Sequence, residues 1–225
     1  MHIPDGLIND PRVWIAGDAV AAAAVGYAVH RENRRLRPEA VPVMGLMAAF
    51  VYAGQLFNVP VAAGVSGHFL GAVFAAVLLG PCQATLVMAA VITLQCLLHA
   101  DGGLTALGLN VTNMGVVGTM LGYGIYWAIR RLAAGTSGLF VGAAVAAWCS
   151  VVGGAALVSL QVVLCQEAYS AAVVFPPMLG IHAVIGLLEA AVTVAALTVV
   201  WRVRPDLLGL WPPAPRDSAA EEAAS

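Results

Sequence analysis

A histidine in second place, in Met1-His2-Ile3-Pro4-Asp5-Gly6, sets three nitrogens in a row: the α-amine of Met1, the backbone nitrogen of His2 and the His2 imidazole. A metal ion held by all three closes a five-membered and then a six-membered chelate ring, with the donors roughly in one plane. One more nitrogen completes a square, the geometry that Ni(II) and Cu(II) prefer. Zn(II), which favours a tetrahedral shell, fits such a set poorly. His68 is a candidate fourth donor, since neutral imidazole is a common nitrogen ligand. It sits in Gly64-Val65-Ser66-Gly67-His68-Phe69-Leu70-Gly71. The small-xxx-small spacing of Gly67 and Gly71 lets another backbone approach closely. An imidazole in so apolar a setting is costly without a partner. Either a helix–helix hydrogen bond or a metal ion would serve.

Two further groups of residues could carry chemistry. Gln95, His99, Asp101, Asn110, Thr112 and Asn113 gather around Ala100-Asp101-Gly102-Gly103-Leu104-Thr105. Gln95 and His99 are four apart and share a helix face. The glycine pair then breaks the helix, giving either a re-entrant wall of the metal pocket or an ordinary outer loop. His182 and Glu189 stand two helical turns apart on one face. An intramembrane carboxylate is a functional suspect. Glu189 could orient a histidine ligand, or it could brace the bundle through a buried hydrogen bond. Asp18 raises the same question with less context, and His30, beside arginines, reads as solvated.

Composition indicates what must position these groups. The chain has 225 residues, 61% hydrophobic and 10% charged, against about 25% charged in a soluble domain. That shortfall points to a polytopic all-α membrane bundle, and the abundant glycine suits close helix packing in lipid. The net charge of −2 suggests no nucleic-acid partner. No cleavable signal pattern opens the chain, so the N-terminus is expected to be retained. Cys82, Cys96, Cys149 and Cys165 lie in apolar stretches without a CxxC pair and read as small buried hydrophobes.

Seven transmembrane helices are expected, at 12–29, 40–57, 61–80, 82–99, 107–129, 138–165 and 176–201. Arg31, Arg34, Arg35 and Arg37 follow the first, Arg130 and Arg131 the fifth, and Arg202 and Arg204 the seventh. Alternating spans put these clusters on one side. Basic loops stay cytoplasmic, which sets the N-terminus outside and the C-terminus inside. Residues 1–204 then form one transmembrane domain, and 205–225 read as a disordered cytoplasmic tail. Ala49 and Ala53 in the second span form a small-residue stripe, suited to packing within the chain or against a partner helix. No internal repeat stands out, which weighs against inverted-repeat transporters.

The segments Met1–Gly6, 64–81 (GVSGHFLGAVFAAVLLGP), 100–115 (ADGGLTALGLNVTNMG) and 178–190 (MLGIHAVIGLLEA) resemble the substrate-binding membrane subunit of energy-coupling-factor nickel or cobalt transporters, the NikM/CbiM type. With the hydropathy between them, the resemblance covers about residues 1–204. It implies a compact bundle with one extra N-terminal helix, and an N-terminal tail that inserts from outside to deliver amine, amide and imidazole nitrogens. Here those come from Met1 and His2, with His68 closing the square. Gln95, His99, Asp101, Asn110, Asn113, His182 and Glu189 would stand behind them or wall the pocket. The resemblance also implies partners: a transmembrane coupling subunit and two cytoplasmic ATPases, while the sequence leaves open the need for an additional small membrane subunit. It moves the reading of Ala49 and Ala53 towards the coupling-subunit interface. It calls for no cofactor beyond the transported ion, and it implies a bacterial or archaeal cell membrane. MHIPDG is more like the nickel branch than the cobalt branch.

The chain has no GxxxxGK[ST] phosphate loop, so it is expected to be no enzyme and to borrow its energy. The rival reading is a secondary nickel or cobalt permease without ATPase partners, but the HxxxxDH motif of that class does not occur. The HExxH pattern of a metalloprotease does not occur either.

Overall fold

The computed structural model describes residues 1–133 and 135–209. Helix α1 (Pro11–Glu32) is followed by α2 (Ala40–Gln55), strands β1 (Asn58–Ala62) and β2 (Val65–His68), and helices α3 (Ala72–Leu79) and α4 (Pro81–His99). A continuous helical run comes next: α5 (Leu107–Asn110), a π-helical stretch (Val111–Val117) and α6 (Gly118–Leu132). The long helices α7 (Gly135–Cys165) and α8 (Ala171–Val203) complete the bundle. A 3-10 turn at Pro205–Gly209 follows; the rest of the expected tail, 210–225, lies outside the described residues.

Four helices, α1, α4, α7 and α8, are long and apolar enough to cross a membrane, and α2 is apolar but only 16 residues long. This is the build of a multi-pass helical membrane protein. Local chemistry sets the ends. Asp10 caps α1 by accepting from Arg12 N at 2.9 Å, with Pro11 in the first turn. Gly80, at φ 80°, ends α3, and Pro81 begins α4 at once.

The span expected at 61–80 is not one helix. Its first half belongs to an antiparallel hairpin that pairs Asn58 with His68, Val59 with Gly67 and Pro60 with Ser66. The turn uses Ala63 and Gly64, both at positive φ, as a tight two-residue hairpin requires. Val59, Val61 and Val65 alternate with small or polar residues, a period-two signal hidden inside a high average hydropathy. The second half is α3, only eight residues long and buried on every side. A helix that is apolar all round belongs in the interior, and α3 packs against α4, α6 and α7. The α7 face that meets α6 and α8 is mostly Gly, Ala and Ser, so the backbones come close and dispersion drives the packing in lipid.

The turn between β2 and α3 is held from two sides. Glu189 of α8 accepts from Leu70 N at 2.7 Å and Gly71 N at 2.6 Å. Gln55 of α2 donates to Leu70 O at 2.8 Å. Gly71 has φ 75°, and a Cβ there would sit 2.7 Å from Val51 Cγ2, so the turn needs glycine. These contacts set the position of His68 immediately before it. Replacing Glu189 with alanine strands two buried N–H groups, at a cost of about 3 kcal/mol. Denaturation in detergent is expected to show that loss, and Glu189→Gln, which keeps one acceptor, is expected to lose less. Unchanged stability in Glu189→Ala would remove the brace.

Candidate metal centre

The first eight residues fold into the bundle rather than away from it. Met1, His2 and Ile3 are buried, as are Leu7 and Ile8. An irregular segment in an apolar interior must pair its backbone, and the loop after α4 supplies the partners. Ile3 N donates to Asn110 Oδ1 at 2.8 Å, and Ile3 O accepts from Asn110 Nδ2 at 3.1 Å and Gly103 N at 2.8 Å. Asp5 accepts from Thr105 Oγ1 at 2.6 Å, Thr105 N at 2.8 Å and Leu104 N at 3.1 Å. Gln166 donates to Leu7 O at 2.6 Å. A Cβ on Gly103 would collide with the backbone nitrogen and carboxylate of Asp5. One on Gly154 of α7 would sit 2.8 Å from Met1 Cε. The tail fits only because both positions are bare.

This docking brings the α-amine, His2 and His68 together. The His2 and His68 rings stack with centroids 4.7 Å apart. His68 Nδ1 lies 2.7 Å from Phe69 O; donating there fixes the tautomer and leaves Nε2 as a lone pair. His2 Nδ1 lies 3.1 Å from Asp101 Oδ1, off the line of a well-formed hydrogen bond. Asp101 is in turn held by Asn58 Nδ2 at 3.2 Å. His182 Nδ1 lies 2.7 Å from Met178 O, and its Cε1 would be 3.5 Å from a Cβ on Gly67, directly beneath β2.

The polar atoms left over are concentrated here. His2 Nδ1 and Nε2, His68 Nε2, His182 Nε2 and both amide atoms of Gln95 are buried without a hydrogen-bond partner. A buried polar atom left unpaired costs about 1–3 kcal/mol, so such a concentration marks a site built for something polar. Burial pushes the Met1 amine down to about 4, opposed only partly by the charge of Asp101. Burial also lowers His2, again against Asp101. Burial alone would raise the Asp101 carboxyl, but the contact with His2 outweighs it and holds the group below the usual range. Around neutral pH the donors are therefore neutral beside one carboxylate, the state in which nitrogen binds a cation. Among the described residues no group of three or more His, Cys, Asp or Glu side chains converges.

The other sequence candidates are placed as follows. Asn110 clamps Ile3. His99 is exposed and bonds Tyr52 Oη at 2.5 Å on the rim. Asn113 exchanges two hydrogen bonds with Gln161, at 2.8 and 3.0 Å. Thr112 donates to Gly17 O at 3.0 Å, tying the π-helical stretch to α1. Asp18 accepts from Gly108 N at 3.1 Å on the same seam. Glu189 spends its carboxylate on Leu70 and Gly71 rather than on His182. Ala49 and Ala53 are exposed on α2. Sequence reasoning passed over Asp5, Asn58, Gly154 and Gln161. Of these only Gln161, an amide inside an apolar span, carried a readable signal.

Asp5 gives the docked tail a pH dependence. Its hydrogen bonds, the Thr105 hydroxyl first, hold its carboxyl below the ordinary value. A depressed folded value means the contribution is complete above about pH 4 and fades as the pH falls through the lowered value. Hydrogen exchange of the Ile3 amide is expected to accelerate over that range. Asp5→Ala is expected to raise it roughly tenfold already at neutral pH, with α7 and α8 unaffected. Equal exchange in both proteins would show that Asp5 does not latch the tail.

Residues 2–207 match the family described as the cobalt uptake substrate-specific transmembrane region, CbiM. A chain of Haloquadratum walsbyi named as a metal transport protein is 38% identical over 213 residues, covering 92% of this chain and 93% of that one. A chain of Archaeoglobus fulgidus named as a fused nickel transport protein, NikMN, is 36% identical over 211 residues, covering 92% of this chain and 68% of that one. The crystal structure of a truncated transition metal transporter superposes with a TM-score of 0.83 at 27% identity, covering 90% of this chain and 99% of that one. With an alignment of that extent and a fold that agrees with it, this chain belongs to the CbiM family of cobalt and nickel transport proteins.

Proposed function

We propose that this chain is the substrate-binding membrane subunit of an ATP-driven, energy-coupling-factor importer, taking Ni(II) in preference to Co(II). The observation that carries the reading is the meeting of the buried Met1 amine, His2 and His68 among unpaired polar atoms. The ion enters as substrate. The amine, the His2 backbone nitrogen and the His2 imidazole chelate it, and His68 Nε2 completes a planar set of four nitrogens, which suits Ni(II). Cu(II) would bind more tightly still, so availability excludes it. Asp101 Oδ1, 3.1 Å from the His2 Nδ1 that the six-membered ring requires, gives way to the ion there and leaves a negative charge beside it.

The chain carries no phosphate loop. Energy then comes from a transmembrane coupling subunit and two cytoplasmic ATPases, with an additional small membrane subunit beside them. Ala49 and Ala53 on the exposed side of α2 are the proposed contact with the coupling subunit. The N-terminus faces out of the cell and the arginine-rich ends face the cytoplasm. The membrane is the cell, or inner, membrane of a bacterium or archaeon. Loading locks residues 1–8 in the docked position they already hold across the bundle, and ATP turnover in the partners would release the ion.

One residue added ahead of Met1 moves the amine and is expected to abolish nickel retention and the visible absorption of a planar nitrogen complex. His68→Ala is expected to lose most of the affinity. Full nickel content in either protein refutes this ligand set. Because the amine stands near 4, it enters binding already neutral at pH 7. Calorimetry in two buffers is expected to show about one proton released per ion, from the His2 amide, and weaker binding in acid. Release of two protons would mean that the amine is charged before the ion arrives.

A further inference from the structure

A second polar site lies at the opposite end of the bundle. The His2–Asp101 contact follows the C-terminus of α4, whereas Gln83 at its N-terminus donates to Glu32 of α1 at 2.7 Å. The 19 residues of α4 separate these ends by about 28 Å. Beside Glu32, the chain leaving α1 turns back on itself: Arg35 N donates to Glu32 O at 2.9 Å and Leu36 N at 2.7 Å. The turn folds Arg34 and Arg35 next to the last turn of the helix. The result is a cavity of about 320 Å³ lined by Tyr27, His30, Arg31, Arg34 and Arg35.

We propose that this cavity binds the phosphate of an anionic lipid headgroup. Arginine forks match phosphate oxygens in pairs. Arg31 Nη1 donates to Tyr27 Oη at 3.1 Å, so the phenol keeps its own hydrogen to donate to a ligand. Glu32, next in the chain to Arg31, is buried and turned towards Gln83. The C-terminal dipole of α1 opposes an anion, but it amounts to about half a charge against three guanidinium groups, and the carbonyls of Val29 and Glu32 already accept backbone N–H groups. A lipid fits better than a soluble phosphate because apolar side chains flank the basic rim. Val29 and Leu36 are 52% and 40% exposed there, at the end of a helix long enough to span the bilayer. A basic cluster next to a span gains attraction from anionic lipid for each arginine near the surface.

The test uses the full chain in detergent, with bound lipid counted by native mass spectrometry after exposure to phosphatidylglycerol or phosphatidylcholine. Phosphatidylglycerol is expected to be retained over phosphatidylcholine roughly tenfold, and less so at about 0.5 M salt. The double variant Arg34→Gln, Arg35→Gln is expected to lose that preference while holding nickel as the unaltered protein does, which reports an intact fold. Inorganic phosphate forms a separate arm: if it binds in an arginine-dependent way and phosphatidylglycerol shows no preference, the source is a soluble phosphate and the lipid assignment fails. Equal retention of both lipids with no phosphate binding overturns the site altogether. So does unchanged phosphatidylglycerol retention in the double variant.

Discussion

The candidate metal centre depends on one constraint: a non-helical peptide can lie inside an apolar bundle only if its backbone is paired. Ile3 meets that constraint. Its N–H and carbonyl face the two ends of the Asn110 amide, and its carbonyl takes a second bond from Gly103. With Ile3 held, His2 on one side must face His68 and Met1 must enter the cleft beside Gly154. Met1 and His2 need little holding of their own, and their ring and amine atoms are left available.

The partner surface is stiffened by a different device. His68 ends a strand rather than occupying a helix. The turn after it is locked by a carboxylate from α8 and an amide from α2. The buried charge of Glu189 is matched by two backbone donors, which is how a carboxylate survives in so apolar a place. The pocket thus has one wall anchored to two helices, α2 and α8, and one wall that is an eight-residue arm. An ion that takes donors from both walls would add its binding energy to the stability of the docked arm.

Polarity is unevenly spread along α1 and α4. One end carries the buried nitrogens beside Asp101; the other carries Arg31, Arg34 and Arg35. A bilayer imposes such a division, because neither set tolerates the hydrocarbon depth between them. The Asp18 and Thr112 side chains bond to backbone across the seam between α1 and the helical run that follows α4, pairing polar groups along that depth.

The sequence by itself determined the class of the molecule and singled out the candidate donors that the fold brings together. The paucity of charge specified a membrane bundle, and Met1-His2 with the Ser-Gly-His segment specified nitrogen chemistry, because these follow from residue types and adjacent spacing. The stretch 61–80 misled, since average hydropathy does not separate a buried hairpin followed by a short helix from one spanning helix. Asp5, Asn58 and Gly154 became meaningful only in three dimensions, for their partners are distant in sequence. The same holds for Glu189: its spacing from His182 suggested a pair, but its position in the fold put it against two N–H groups of another element. Hydrogen-bond pairing across the bundle, which no local pattern encodes, decided where the arm docks and which polar atoms stay free.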